Sequence, residues 1–86
     1  MKIAVLGAGA WGTALAISFA SRHAVTLWAR DPQLSATMRT TRANARYLPG
    51  QQFPDALNID AAMESAAGNA DLIIIGTSTG GLADTA

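Results

Sequence analysis

Three observations predict an α/β fold built on a parallel, doubly wound sheet. Two short apolar runs, Ile3 to Leu6 and Leu72 to Ile75, are continuous rather than alternating, as strands covered on both faces are. Strand-like stretches alternate with stretches of helix formers along the 86 residues. A glycine-rich turn stands directly between the first apolar run and the first helical stretch. Strand, helix, strand, helix at this spacing gives βαβ units with right-handed crossovers. The strand order that follows is 3-2-1-4, the first half of a Rossmann-type sheet.

The first strand covers Ile3 to Leu6 and ends at Gly7. From Ala10 to about Ser21 the residues favour helix and are apolar nearly all round, which predicts a buried helix. Ala24 to Ala29, rich in β-branched and aromatic residues, reads as the second strand. Asp31-Pro32 is a helix start, with Asp as N-cap and Pro at the first helical position, where its missing N–H costs nothing. This helix is predicted to run to about Ala45, with Arg39, Arg42 and Arg46 on one solvated face.

Tyr47 to Pro54 is an irregular loop by its Pro and Gly content. A short third strand at Leu57 to Ile59 and a short helix at Ala61 to Ala67 follow, then Leu72 to Ile75 as a buried fourth strand. Gly76 to Gly81 is a second turn rich in glycine and hydroxyls, and Leu82 to Ala86 has the character of a helix's first turn. Such a helix leads to a fifth strand beside the fourth. Without that strand an apolar edge is left unpaired, open to aggregation or to pairing of two copies as a homodimer.

Half of the residues are hydrophobic and 14% are charged, a globular composition. A domain of this size buries only about 60% of its unfolded surface, so its stability is marginal, and the chain reads as part of something larger. Six basic and six acidic residues cancel, so no global field draws the protein to nucleic acid or to an anionic membrane. Locally the balance differs. Arg30, Arg39, Arg42 and Arg46 crowd one segment with Asp31 as its single acid, an arrangement suited to a phosphate-bearing ligand. The absence of cysteine excludes a disulfide frame or thiolate metal site and fits a reducing compartment. No apolar run approaches the roughly 20 residues of a membrane span, and the first is too short for a signal-peptide core, so a cytoplasmic protein is the default reading.

Gly7, Gly9 and Gly12 form the Gly-x-Gly-x-x-Gly pattern in the strand-to-helix context that gives it meaning. Gly7 permits a tight turn, Gly9 admits a pyrophosphate to the backbone, and Gly12 lets the helix pack close to the strand. Free amides at the helix start then face the phosphates, with the helix dipole adding about 0.3 to 1 kcal/mol. The plainer alternative is a turn that only packs tightly. Trp11, between the second and third glycines, either lies beside the phosphate cradle and shields it from water or is a core aromatic wedged against the loop after the fourth strand.

At the end of the second strand an acid takes the ribose 2′-hydroxyl of NAD, whereas an arginine accommodates the 2′-phosphate of NADP. Here the position carries Arg30, and Asp31 beside it is better explained as the helix cap. A charge-assisted contact of about 1.5 to 3 kcal/mol predicts tighter binding of NADP(H) than of NAD(H). His23, the single histidine, precedes the second strand at the amino edge of the sheet, opposite the ligand edge, and reads as a solvated loop residue. Asp55, Asp60, Glu64, Asp71 and Asp84 show no metal-ligand spacing and read as surface charges. Ser78 and Thr79 belong to the ligand edge, as cofactor contacts or as an ordinary turn.

The stretch GAGAWGTALA (Gly7 to Ala16), followed by NARYLPG (Asn44 to Gly50) and FPDALNI (Phe53 to Ile59), resembles the amino-terminal part of bacterial NAD(P)-dependent glycerol-3-phosphate dehydrogenases, over nearly the whole chain. The resemblance implies that the chain is about the first quarter of such an enzyme: a partial cofactor domain at 1–86, with the rest of that domain and a helical substrate domain outside it. It also implies cofactor contacts at Ala10, Trp11 and Arg30, beside the glycines. Ala10 departs from the pattern, where a hydroxyl is frequent, and Thr77-Ser78 stands where Pro-Ser is common.

The family's catalytic lysines lie downstream, and Lys2, the only lysine here, cannot replace them. The implied reaction moves hydride between the nicotinamide and carbon 2 of a small phosphorylated substrate, interconverting glycerol 3-phosphate and dihydroxyacetone phosphate for phospholipid synthesis. Two alternatives stand beside it. One is a ketopantoate reductase-like NADPH enzyme, which shares the first motif; the other is a non-catalytic nucleotide-binding module, which the lack of a proton donor would suit.

Overall fold

The computed structural model describes residues 1–76. Strand β1 (Lys2–Leu6) leads through helix α1 (Ala10–Ala20) to β2 (Ala24–Trp28). The chain continues through α2 (Pro32–Thr41) to β3 (Asn58–Asp60), and through α3 (Met63–Ala67) to β4 (Leu72–Ile75). All four strands are parallel, in the order β3-β2-β1-β4 that the sequence predicts. Two steps outward from β1 and one long step back require, with right-handed crossovers, that α1 and α2 cover one face and α3 the other. Ser78, Thr79, Asp84 and the helix start at Leu82 lie outside the described residues.

The register brings three strand ends level, because Leu6 pairs with Trp28 on one side and with Ile75 on the other. The core lies between the sheet and its helices. Ile3 and Val5 of β1 and Val25 and Leu27 of β2 cluster with Ala16 and Ala20 of α1, Met38 of α2, and Phe53 and Leu57 of the loop before β3. Small residues at Gly12, Ala16 and Ala20 form the buried stripe of α1 and let it settle close on the strands.

Four predicted features need correction. Helix α1 is not buried all round: Trp11, Ala14 and Ser18 are exposed, because the buried side is the stripe of Gly12, Thr13, Ala16 and Ala20 with Ile17 and Phe19 packed against the core. β4 is an edge strand rather than a buried one, with Leu72, Ile73 and Ile75 open to solvent, since on its outer side no strand pairs with it among the described residues. Helix α2 stops at Thr41 instead of about Ala45. Its last turns carry Thr37, Thr40 and Thr41, whose hydroxyls donate back to the carbonyls of Gln33, Ala36 and Thr37, a habit that weakens helices.

Arg42 then takes a left-handed conformation (φ 56°), its N–H donating to Met38 O at 2.8 Å. Such a conformation costs a non-glycine residue about 1 to 2 kcal/mol. It is offset by the guanidinium, whose Nη2 donates to Pro54 O at 2.8 Å and Leu57 O at 2.6 Å while the group lies 5.8 Å from the centre of the Phe53 ring. The fourth correction follows from the third. Arg39, Arg42 and Arg46 do not share one solvated face: Arg42 turns inward and Arg46 pairs with Asp31.

Candidate functional site

The glycine turn sits at the carboxyl edge of the sheet, where parallel strands of this type present their ligands. Gly7 follows β1 with φ 124°, a region that disfavours side chains, and its N–H donates to Trp28 O at 2.8 Å. A Cβ on Gly7 would fall on the carbonyl of Gly76, and one on Gly12 would fall on the carbonyl of Gly7. Gly76 in turn lies with its would-be Cβ 3.0 Å from the Cα of Gly12. Three backbones therefore meet where β1, α1 and the end of β4 converge. The tight turn and the close helix packing foreseen for Gly7 and Gly12 are both present; the part of Gly76 was missed. Its signal was available, since one glycine directly follows each of two neighbouring apolar runs.

Helix α1 begins without a cap. Its N-cap is Gly9, no side chain among the described residues bonds to its first amides, and its first turn holds no acidic residue. The helical ladder opens with Thr13 N–H donating to Gly9 O at 2.9 Å, which leaves the amides of Ala10, Trp11 and Gly12 ahead of it. Helix α2 is the contrast. Asp31 caps it, accepting from Gln33 N–H at 2.9 Å, as the sequence predicts. That hydrogen bond, with Arg46 Nη1 donating to the carboxylate at 3.1 Å, holds the Asp31 carboxyl below the ordinary carboxylate range. Of the two long helices, one has its positive end neutralised and the other, behind the glycines, does not.

Around this corner Trp11 is 58% exposed, in the first turn of α1; the loop after β4 against which it could wedge lies outside the described residues. Ala10 is exposed beside it, Gly9 is buried, and Arg30 is exposed two residues beyond β2. His23 lies at the amino edge, its N–H donating to Phe19 O at 2.9 Å, remote from the turn along the strands. Two of the carboxylates read as surface charges have local structural partners: Asp71 accepts from Lys2 N–H at 2.8 Å and Asp60 from Ala62 N–H at 3.0 Å. A groove of about 360 Å³ lies between α2 and residues 43–46, with the Asp31–Arg46 pair, Thr37 and Asn44 among its walls.

One residue of the site was not singled out as such from the sequence. Asn44, the first residue of the NARYLPG stretch, is 1% exposed and reaches back to the turn. Its Nδ2 donates to Ala8 O at 2.8 Å and to Thr13 Oγ1 at 2.9 Å. A contact spanning 36 residues of sequence leaves no local signal.

Comparison with known proteins places this geometry. Residues 2–86 match the family model described as the NAD-dependent glycerol-3-phosphate dehydrogenase N-terminus. A glycerol-3-phosphate dehydrogenase (NAD(P)+) of Thiobacillus denitrificans is 52% identical over 85 residues, covering 99% of this chain and 26% of that protein. One from an Acidovorax species is 54% identical over 81 residues, covering 90% and 24%. The crystal structure of glycerol-3-phosphate dehydrogenase from Coxiella burnetii superposes with a TM-score of 0.81 at 36% identity, over 86% of this chain and 23% of that one. The chain thus spans about a quarter of the length of the curated relatives it matches. On the family match, the shared strand order and the glycine turn, the chain belongs to the NAD-dependent glycerol-3-phosphate dehydrogenase N-terminal family.

Proposed function

We propose that this chain supplies the nicotinamide-dinucleotide site of an oxidoreductase that interconverts sn-glycerol 3-phosphate and dihydroxyacetone phosphate, with NADP(H) preferred over NAD(H). The observation that carries the reading is the uncapped start of α1 at the carboxyl edge, beside a helix whose own start is capped by Asp31. An anion is the missing counterpart of that positive end, and the diphosphate of a dinucleotide supplies one. The amides of Ala10, Trp11 and Gly12 hold it, Gly9 offers no Cβ against it, and Trp11 screens it from water on one side. Arg30 faces the ribose with a fixed positive charge, the basis for the preference for a 2′-phosphate.

When bound, the nicotinamide supplies a hydride to carbon 2 of the ketone, whose oxygen takes up a proton. This chain's residues bind and orient. Lys2 stands at the opposite end of β1 from the turn, so no proton is assigned to it. The remaining part of the cofactor domain and a helical substrate domain are assigned to the three quarters of the relatives' length that this chain does not match. The proposal includes a cytoplasmic enzyme, acting on a small phosphorylated substrate, that pairs as a homodimer.

The test is oxidation of NADPH by the intact protein, followed at 340 nm with dihydroxyacetone phosphate and, separately, with ketopantoate. Turnover with the first alone is the expected result; turnover with ketopantoate alone refutes the proposed substrate. Failure of NADPH and NADH alike to bind in titration refutes the nucleotide site itself.

A further inference from the structure

We propose that Asn44 is a positioning residue for the cofactor: its buried carboxamide ties the glycine turn to α1 and so aims the amides that receive the diphosphate. The proposal rests on reading the turn as a dinucleotide site. Nδ2 spends one hydrogen on the Ala8 carbonyl and the other on the Thr13 hydroxyl. The orientation of the amide is fixed by chemistry, since exchanging Oδ1 and Nδ2 would set an acceptor against the Ala8 carbonyl oxygen. Oδ1 is then left buried without a hydrogen-bond partner among the described residues. An apolar side chain here would avoid that oxygen but leave the Ala8 carbonyl and the buried Thr13 hydroxyl without the donor they share, so the carboxamide is held by these two bonds.

The mechanical effect follows from peptide geometry. The Ala8 carbonyl and the Gly9 N–H belong to one planar trans unit and point in opposite directions, so drawing the carbonyl toward Asn44 turns the Gly9 amide away from it. The second bond acts on the other side of the same amides, at Thr13, where the helical ladder opens. Asn44 thus holds both flanks of the segment from Gly9 to Gly12.

The brace is itself anchored. Arg42, in its left-handed conformation, is fastened through Nη2 to Pro54 and Leu57, and Phe53 N–H donates to Arg42 O at 2.7 Å. On the other side Leu48 N–H donates to Asn44 O at 2.8 Å. The irregular loop between α2 and β3 thereby serves as a buttress for the phosphate end of α1.

The test compares the wild-type protein with Asn44→Ala, Thr13→Val and Thr13→Ser. Each is measured for NADPH affinity by fluorescence titration and, without ligand, for amide hydrogen exchange at Gly9 to Gly12. Asn44→Ala and Thr13→Val are expected to weaken NADPH binding about tenfold and to speed exchange at those amides. Thr13→Ser, which keeps the acceptor but loses a buried methyl, is expected to melt earlier yet bind NADPH within about twofold of wild type. Folded Asn44→Ala and Thr13→Val proteins with wild-type affinity and exchange overturn the proposal. So does an equal loss of affinity in Thr13→Ser and Thr13→Val. Should Asn44→Ala not fold, the Thr13 pair alone decides. Should the wild type bind no dinucleotide, the nucleotide reading fails, while the exchange comparison still decides whether Asn44 orders the turn.

Discussion

Substituting Gly12 by alanine separates the packing role of the glycine turn from its role in binding. Helix propensity alone would make the change favourable by about 0.8 to 1 kcal/mol, because Gly12 lies inside α1. Against this, the new Cβ would stand well inside the 3.0 Å that real Cβ atoms keep from their neighbours, and the atom in its way is the Gly7 carbonyl oxygen, with Val5 Cγ1 a further 3.5 Å contact. A side chain could rotate aside; a backbone carbonyl at the end of a central strand cannot. Overpacking of this kind costs about 1 to 3 kcal/mol, and the rigidity of the obstacle favours the upper end. The net expectation is a loss of about 1 to 2 kcal/mol, a large share of the stability of a small domain.

The structural response is retreat of the first turn of α1, which carries the unpartnered amides and strains the 2.9 Å bond between Thr13 and Asn44. A displacement on the order of 1 Å can cost about 100-fold where groups must be aligned, so cofactor affinity is expected to fall at least tenfold. Gly50→Ala is the control. Unlike helical Gly12 it has a positive φ (84°), and it meets nothing within 4 Å, so it costs about 1 to 2 kcal/mol of backbone strain without touching the site. Urea unfolding and NADPH titration of both variants read the two effects separately. A Gly12→Ala protein as stable as wild type, or one that binds NADPH as tightly, would refute the reasoning.

Three further outcomes are expected. Arg30→Ala should weaken NADPH binding by roughly 10- to 100-fold and leave NADH within about twofold, as measured by parallel titrations; equal losses would remove Arg30 from the 2′-phosphate. Asp31 has its folded-state pKa lowered by the Gln33 amide and by Arg46, so its contribution to stability is present above the unfolded carboxyl's pKa and lost as pH falls through the lowered one. Asp31→Asn keeps a capping acceptor but no charge, and its stability gap to wild type should be visible at neutral pH and close in acid; a gap constant with pH would contradict the assignment. Ile75, 71% exposed on the edge strand, should promote self-association of the 86-residue chain, and Ile75→Lys should reduce it in sedimentation velocity.

The strand order, the Asp31 cap and the glycine turn were legible in the sequence because each rests on local chemistry: unbroken apolar runs, an Asp-Pro start, glycines at set intervals. The end of α2 was not legible. No glycine or asparagine marks it, and the residue that takes the left-handed conformation is an arginine whose compensation comes from Pro54 and Leu57, 12 and 15 residues onward. Asn44 was hidden for the same reason, its partners being settled only once the loop has returned across α1. The exposed side of α1 was misjudged because alanines give no periodicity; Ala14 in solvent and Ala16 in the core are the same letter.

The two long helices start from the same backbone problem and solve it oppositely. Each has amides at its amino end that its own carbonyls cannot reach. In α2 the solution is internal, through the Asp31 carboxylate. In α1 the N-cap is Gly9, which has no side chain to accept from the first amides, and the neighbouring positions are held by backbone packed on backbone at Gly7, Gly12 and Gly76. Glycine at an N-cap costs roughly a few tenths of a kcal/mol against Asp, Ser or Asn, so the open start of α1 is a small sacrifice in stability. The same corner also carries a buried asparagine whose Nδ2 satisfies two acceptors while its Oδ1 has no partner among the described residues. On the proposed reading the open amides, at the edge where β1, β2 and β4 end level, serve an external anion, and Asn44 holds the turn that presents them.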